Sequence, residues 1–170
     1  FKVLNLFAYT GGSTLACASA GAMVTHVDAS KTSVTWAREN TDLNGLKDAP
    51  VRWMVEDVSL FVARELRRGN RYHGIILDPP SFGRGPKNQL WKIEEHLVPL
   101  LQDLKQLLFD DFSFVLLSSH SAGYTPEALK NLLAPMALNS SAQFVAEEML
   151  VSAKSGVKLP SGASCLLLNK

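Results

Sequence analysis

The residues best equipped for chemistry lie in Tyr72-His73-Gly74-Ile75-Ile76-Leu77-Asp78-Pro79-Pro80-Ser81-Phe82. Residues 75–77 form a short apolar run, the pattern of a strand buried on both faces. Asp78 follows, and then two prolines that can neither continue a ladder nor begin an interior helical turn. A residue before proline is pushed out of the helical region, so the chain leaves the sheet at Asp78 extended and stiff. One carboxylate and a few free backbone carbonyls then stand at the carboxyl end of a strand, where open α/β sheets bind their ligands. Such acceptors suit a planar nucleobase amine, whose N–H groups are held while its lone pair attacks an electrophile. Taken alone, the same residues also fit a strand that ends in a proline-rich turn.

Three other strand ends carry comparable features. A strand at 3–7 runs into Ala8-Tyr9-Thr10-Gly11-Gly12-Ser13, whose paired glycines permit positive φ and close backbone approach to a ligand. Asp28 ends a strand at 23–27, and Asp57 follows a strand at 51–55. Asp28 stands roughly 20 residues after the glycine turn, the spacing of a ribose-binding carboxylate. It can take both ribose hydroxyls, and Asp57 can take an adenine amino group. A dinucleotide needs G-x-G-x-x-G to approach its pyrophosphate. Here Phe7-Ala8-Tyr9-Thr10-Gly11-Gly12 puts aromatic residues where the first glycines belong. The turn therefore suits a nucleoside without a pyrophosphate, and S-adenosylmethionine, a ribonucleoside bearing a sulfonium and an amino acid, fits. Each carboxylate by itself is also an ordinary helix N-cap. The order of the four features favours the ligand.

These strand ends need a frame that gathers them. Strands at 3–7, 23–27, 51–55, 75–77 and 112–117 alternate with helical stretches at 14–20, 30–44, 58–68, 90–108 and 126–138. Ser30 caps the second helix, Asn44-Gly45 and Gly69-Asn70 stop the second and third, and Pro126 sits in a first turn. Leucines at 97, 100, 101, 104, 107 and 108 make a core stripe. Residues 81–87 read as irregular, being rich in glycine and proline. Segments 143–151 and 163–168 read as a hairpin with a long loop. Five strand–helix alternations imply a doubly wound α/β fold, a parallel sheet with helices on both faces.

Composition narrows the class. The chain has 170 residues, 46% hydrophobic, and reads as one domain over 1–170. No stretch reaches the length of a membrane span, and no secretory signal opens it. A net charge of +1 is too balanced to argue nucleic-acid binding. Cys17 and Cys165 lack metal-site spacing and read as reduced core residues, which fits a reducing, cytoplasmic compartment and no metal. The chain begins already in a strand, as expected of a domain cut from a longer polypeptide.

Together, residues 3–12, Val27-Asp28-Ala29-Ser30, Ala37-Arg38-Glu39-Asn40 with Leu43-Asn44, and Asp78-Pro79-Pro80-Ser81-Phe82 resemble the class I S-adenosylmethionine-dependent methyltransferases. Within that class they resemble the group that modifies bases of large-subunit ribosomal RNA, over nearly the whole chain. The resemblance implies a Rossmann-like, seven-stranded, mostly parallel sheet with an antiparallel C-terminal strand. It implies that Phe7, Tyr9, Gly11 and Gly12 surround the methionine part. Asp28 with Ser30 would hold the ribose, Asp57 with Val58 the adenine, and Asp78, Pro79 and Pro80 the acceptor base. It also implies an upstream RNA-binding domain, with ribosomal RNA as the partner.

One departure bears on mechanism. Family members that methylate carbon 5 of cytosine carry a cysteine nucleophile in a Ser-Cys-Ser setting after the fifth strand, whereas Ser118-Ser119-His120-Ser121 stands here. Carbon 5 needs a covalent adduct at carbon 6, for which serine at its ordinary pKa is a poor substitute. A nitrogen acceptor needs only position. The expectation is nitrogen methylation, with guanine the favoured base. Ser81, Phe82, Arg84, Lys87 and His120 are candidate substrate contacts, His120 as a proton acceptor and the two cations as phosphate ligands. A capped turn and a solvated loop are the plainer alternatives. Arg64, Arg67, Arg68 and Arg71 read mainly as a solvated face. Rival functions are methylation of a small molecule or a protein side-chain amide, and a non-catalytic scaffold that keeps the fold. The intact Asp28, Asp57 and Asp78 argue against the scaffold.

Overall fold

A computed structural model describes every residue except Lys87, Asn139 and Lys170. Its main sheet holds strands β1 (Lys2–Leu6), β2 (Met23–Asp28), β3 (Val51–Val55), β4 (Gly74–Leu77), β7 (Phe114–Ser119), β8 (Gln143–Ser152) and β9 (Lys158–Leu168). Their order is β3-β2-β1-β4-β7-β9-β8. The first five are mutually parallel, and β9 runs antiparallel to both β7 and β8. This is the doubly wound sheet with its antiparallel hairpin. The strand order reverses between β1 and β4, so the crevice of such a sheet opens beyond the carboxyl ends of those two strands. Gly11 follows one of them and Asp78 the other.

The central strands are buried on both faces, as their apolar runs require. Every residue of β4 is buried, and so are Val3, Leu4, Asn5 and Leu6 of β1. Alternation divides them between two cores. Leu4, Leu6, Ile75 and Leu77 pack with α3 (Val58–Arg68) and α4 (Ile93–Gln106). Val3, Val24 and Ile76 pack with Ala18 of α1 (Gly12–Ser19) and Ala22 just after it. The stripe of six leucines from 97 to 108 is buried throughout.

The helix signals operate as read. Ser30 Oγ accepts from the Ser33 amide and starts α2 (Lys31–Leu43), and Pro126 lies in the first turn of α5 (Pro126–Leu133). Gly69, at φ 67°, ends α3. Three expectations need correction. The helix expected from Leu90 begins at Ile93, because β6 (Leu90–Lys92) pairs antiparallel with β5 (Phe82–Arg84). The segment after Asp78 is therefore partly a β-ribbon, although residues 81–87 suggested irregular chain. The hairpin loop is short: β8 pairs with β9 out to Ser152 and Lys158, with an irregularity at Met149 and Leu150 that accommodates Gly162 and Pro160. Edge pairing tolerates a proline that an interior strand would reject.

Candidate active site

The loop after β1 is wound tightly. Phe7 and Tyr9 take φ values of 55° and 47°, and Gly11 takes 89°. Left-handed backbone costs a non-glycine residue about 1–2 kcal/mol, so the aromatic residues hold, under strain, turns that glycines would make freely. Gly11 is needed for a second reason: a Cβ there would stand 3.0 Å from Ala37 Cβ on α2. Several bonds secure the loop. The Ala8 amide donates to Val27 O (3.1 Å), the Gly11 amide to Ala8 O (3.0 Å), and Asn40 Nδ2 to Thr10 O (2.9 Å). Asn40 belongs to the Arg38-Glu39-Asn40 segment, whose role the sequence left unexplained.

Asp28 ends β2 beneath this loop. Its Oδ2 accepts from the Tyr9 amide and its Oδ1 from the Ser30 amide, each at 2.8 Å. An ionised carboxylate offers about four lone-pair sites, so two remain for a pair of hydroxyls. Asp57 is a helix cap, since its Oδ1 accepts from the Leu60 amide at 3.0 Å. The plain reading of Asp57 is thus correct for one oxygen, and the side chain still lines the cleft. Asp78, half exposed, follows β4.

A cleft of about 560 Å³ joins these groups. It is lined by Asp28, Ser30, Asp57 and Val58, by Phe7 and Tyr9, and by Asp78-Pro79-Pro80-Ser81 with His120. Arg84 lies on the β5–β6 ribbon and bonds Asn88 Oδ1 at 2.8 Å. Gly11 and Gly12 line an adjoining hollow of about 260 Å³ that shares Phe7, Tyr9 and Asp78 with the cleft. Phe82, 56% exposed, lines neither, and Lys87 lies outside the described residues.

Several features escaped sequence reasoning. Trp91 is buried, its ring 4.8 Å from that of Phe7, and its Nε1 donates to the Pro80 carbonyl at 2.8 Å. One of the carbonyls expected to be free is therefore engaged, and the ribbon is pinned to the Asp78 turn. Ser81 Oγ and Ser121 Oγ, 2.7 Å apart, link the ends of β4 and β7. Under the glycine turn, Asn5 Nδ2 donates to Thr14 Oγ1 (2.9 Å), which meets His26 Nδ1 (2.9 Å). Burial lowers the His26 pKa to about 4. The signal for this chain was the polar Asn5 inside an apolar strand. Its partners lie across the sheet register, beyond reach of local spacing.

The arginines of α3 and just after it do more than face solvent. Arg64 forms a two-pronged pair with Glu56, and Arg71 reaches Leu108 O and Asp110. Glu65 is fully buried; burial opposes its ionisation, but Tyr72, Asn70 and Arg52 bond it and hold its carboxyl below the usual range. No described helix is long and apolar enough to cross a membrane.

A family model described as S-adenosylmethionine-dependent methyltransferase matches residues 1–117. A ribosomal RNA large subunit methyltransferase K/L of Vibrio cholerae is 37% identical over 107 residues, 62% of this chain and 15% of that protein. A ribosomal RNA large subunit methyltransferase I of Aeromonas salmonicida is 29% identical over 168 residues, 95% of this chain and 41% of that protein. The crystal structure of a SAM-dependent methyltransferase from Agrobacterium tumefaciens superposes with a TM-score of 0.92 at 35% identity. It covers 99% of this chain and 56% of its own. The chain thus spans less than half the length of these two curated relatives.

Proposed function

Because the chain belongs to the S-adenosylmethionine-dependent methyltransferase family, we propose that it transfers a methyl group to a base of RNA, with large-subunit ribosomal RNA as substrate. The observation that carries this reading is the convergence of Asp28, Asp57 and Asp78, from the ends of β2, β3 and β4, on one cleft at the switch point of the sheet. The RNA assignment is supported by the names of the relatives that match over most of the chain.

The cleft fits the cofactor. Asp28 has two acceptor sites left for the ribose hydroxyls after bonding Tyr9 and Ser30. Asp57 and Val58 hold the adenine, and the turn at Phe7, Tyr9, Gly11 and Gly12 holds the amino-acid part. Three carboxylates favour a ligand that bears a sulfonium and an ammonium group. When bound, the cofactor supplies an electrophilic methyl carbon. Asp78, Pro79 and Pro80 position the acceptor base, Ser81, Phe82, Arg84, Lys87 and His120 contact the substrate, and the protein's main contribution is alignment.

The acceptor is a nitrogen, guanine being the favoured base. Ser118-Ser119-His120-Ser121 stands at the end of β7, where a carbon-5 enzyme would carry its thiol. Cys165 is buried within β9 opposite Leu117, and burial raises its pKa; Cys17 lies on α1, where burial does the same. Neither is an activated nucleophile. Mass spectrometry of large-subunit ribosomal RNA nucleosides, from cells with and without the gene, tests the function. Loss of one methylated nucleoside is expected, and an unchanged profile contradicts it.

A further inference from the structure

His120 lines the cleft with Asp78, and a backbone carbonyl orients its ring. Its Nδ1 hydrogen-bonds the Ser161 carbonyl. A carbonyl only accepts, so Nδ1 carries the proton and, in the neutral ring, Nε2 bears the lone pair. Nε2 stands 3.7 Å from Asp78 Oδ1. The arrangement is built in from two sides. Gly162, at φ 143°, lets β9 come close: a Cβ there would lie 2.5 Å from Ser119 O and 3.1 Å from His120 Nδ1. On the other side Ser121 donates its amide to Ser119 Oγ at 3.2 Å, while its hydroxyl meets Ser81.

A lone pair held beside a carboxylate at this place is a proton acceptor, and acceptor atoms differ in whether they release a proton. A ring nitrogen such as guanine N7 takes a methyl group and keeps its positive charge, with no proton to lose. Carbon 5 of a pyrimidine loses one but first needs the covalent adduct that no cysteine here can make. A ring N–H such as guanine N1 also loses one; an exocyclic amino group does so, needs no adduct, and presents the paired N–H groups that the acceptors of the Asp78 turn suit. We propose that His120 is a catalytic base and that the substrate atom is a primary exocyclic amine of an RNA base. The proposal rests on the cleft being a methyl-transfer site for RNA.

The balance is simple. The amine nitrogen forms the new N–C bond as the C–S bond breaks, and that electron pair stays on sulfur. The nitrogen then carries one proton too many, which passes to His120 Nε2. Asp78 stabilises the resulting imidazolium, and the proton leaves to solvent from this half-exposed ring. General-base assistance of this kind contributes about 100- to 10,000-fold.

Three measurements test it. Nitrogen-15 NMR of the protein without cofactor should show the neutral His120 ring protonated at Nδ1 and bare at Nε2; the opposite tautomer overturns the assignment. His120→Ala should lose about 100-fold or more in turnover on ribosomal RNA from cells lacking the gene, with partial recovery in added imidazole. Wild-type turnover in the variant overturns the base. Mass spectrometry of that RNA should find the methyl group on an exocyclic amine, as in N2-methylguanosine, N6-methyladenosine or N4-methylcytidine. N7-methylguanosine or 5-methylcytidine overturns this inference and leaves the RNA reading intact. No methyl group in RNA removes the RNA reading, and this inference with it.

Discussion

The Tyr9 amide donates a 2.8 Å hydrogen bond to Oδ2 of Asp28, 19 residues further along the chain. This bond ties the strained loop after β1 to the end of β2, and Oδ1 of the same carboxylate secures Ser30 at the start of α2. Asp28 thus shapes the cleft before any ligand arrives. Under the proposed function, the lone pairs that these two backbone bonds leave free on the same oxygens would take the ribose hydroxyls.

Two substitutions separate those roles. Asp28→Ala removes both backbone bonds and should weaken S-adenosylhomocysteine binding by about 1–3 kcal/mol, with a lowered Tm as well. Asp28→Asn keeps the side-chain shape and should lower Tm less. Calorimetric titration of both variants checks this, and unchanged affinity in Asp28→Ala would remove the residue from the site.

Asp78 should matter to turnover more than to cofactor affinity. It is half exposed in the lining of the cleft, beside His120. Asp78→Ala is expected to cost about 3–4 kcal/mol in the activation barrier, as loss of one well-placed charge-stabilising contact does. Asp78→Asn should keep some positioning but remain poor, because an amide cannot stabilise growing positive charge. Single-turnover kinetics beside equilibrium binding resolves the two effects.

Folding should weaken in mild acid because of His26. Burial lowers its pKa to about 4, so the folded protein binds its proton less readily than the unfolded chain. The stabilisation from neutral His26 is complete above the unfolded value, about 6.5, and is lost as the pH falls toward 4. About 2 kcal/mol should be gone by about pH 5. Urea unfolding across this range, compared with His26→Gln, isolates the contribution. An equally steep decline in the variant would assign the effect elsewhere.

Glu65 supplies a stability test far from the cleft. It is fully buried, with Tyr72 Oη at 2.7 Å, Asn70 Nδ2 at 2.8 Å, and Arg52 and Arg68 each at 3.3 Å. Glu65→Ala should destabilise the fold by about 3 kcal/mol, taking the carboxylate acceptor from the buried Tyr72 hydroxyl. Cofactor affinity measured below the unfolding range should not change.

Much of this was legible because the governing signals are local. Residues 75–77 followed by Asp78-Pro79-Pro80 define a buried strand and a stiff exit, and Ser30, Gly69 and Pro126 set helix ends through chemistry within a few residues. The β5–β6 ribbon was not legible. Leu90 and Trp91 precede the leucine stripe and read as its first turn, whereas Trp91 is held by the Pro80 carbonyl eleven residues back. Asn5, Thr14 and His26 meet through register and packing, which no local window contains. The hairpin loop looked long because Pro160 and Gly162 are turn residues in most settings, but here they occupy an edge pairing.

The most direct test of the central claim is calorimetric titration of the protein with S-adenosylhomocysteine and, separately, with NAD. The cleft has carboxylates at Asp28 and Asp57, and the loop above it lacks the glycine spacing that a pyrophosphate requires. The account predicts saturable binding of S-adenosylhomocysteine and none of NAD over the same concentrations. Tighter binding of NAD than of S-adenosylhomocysteine would contradict it.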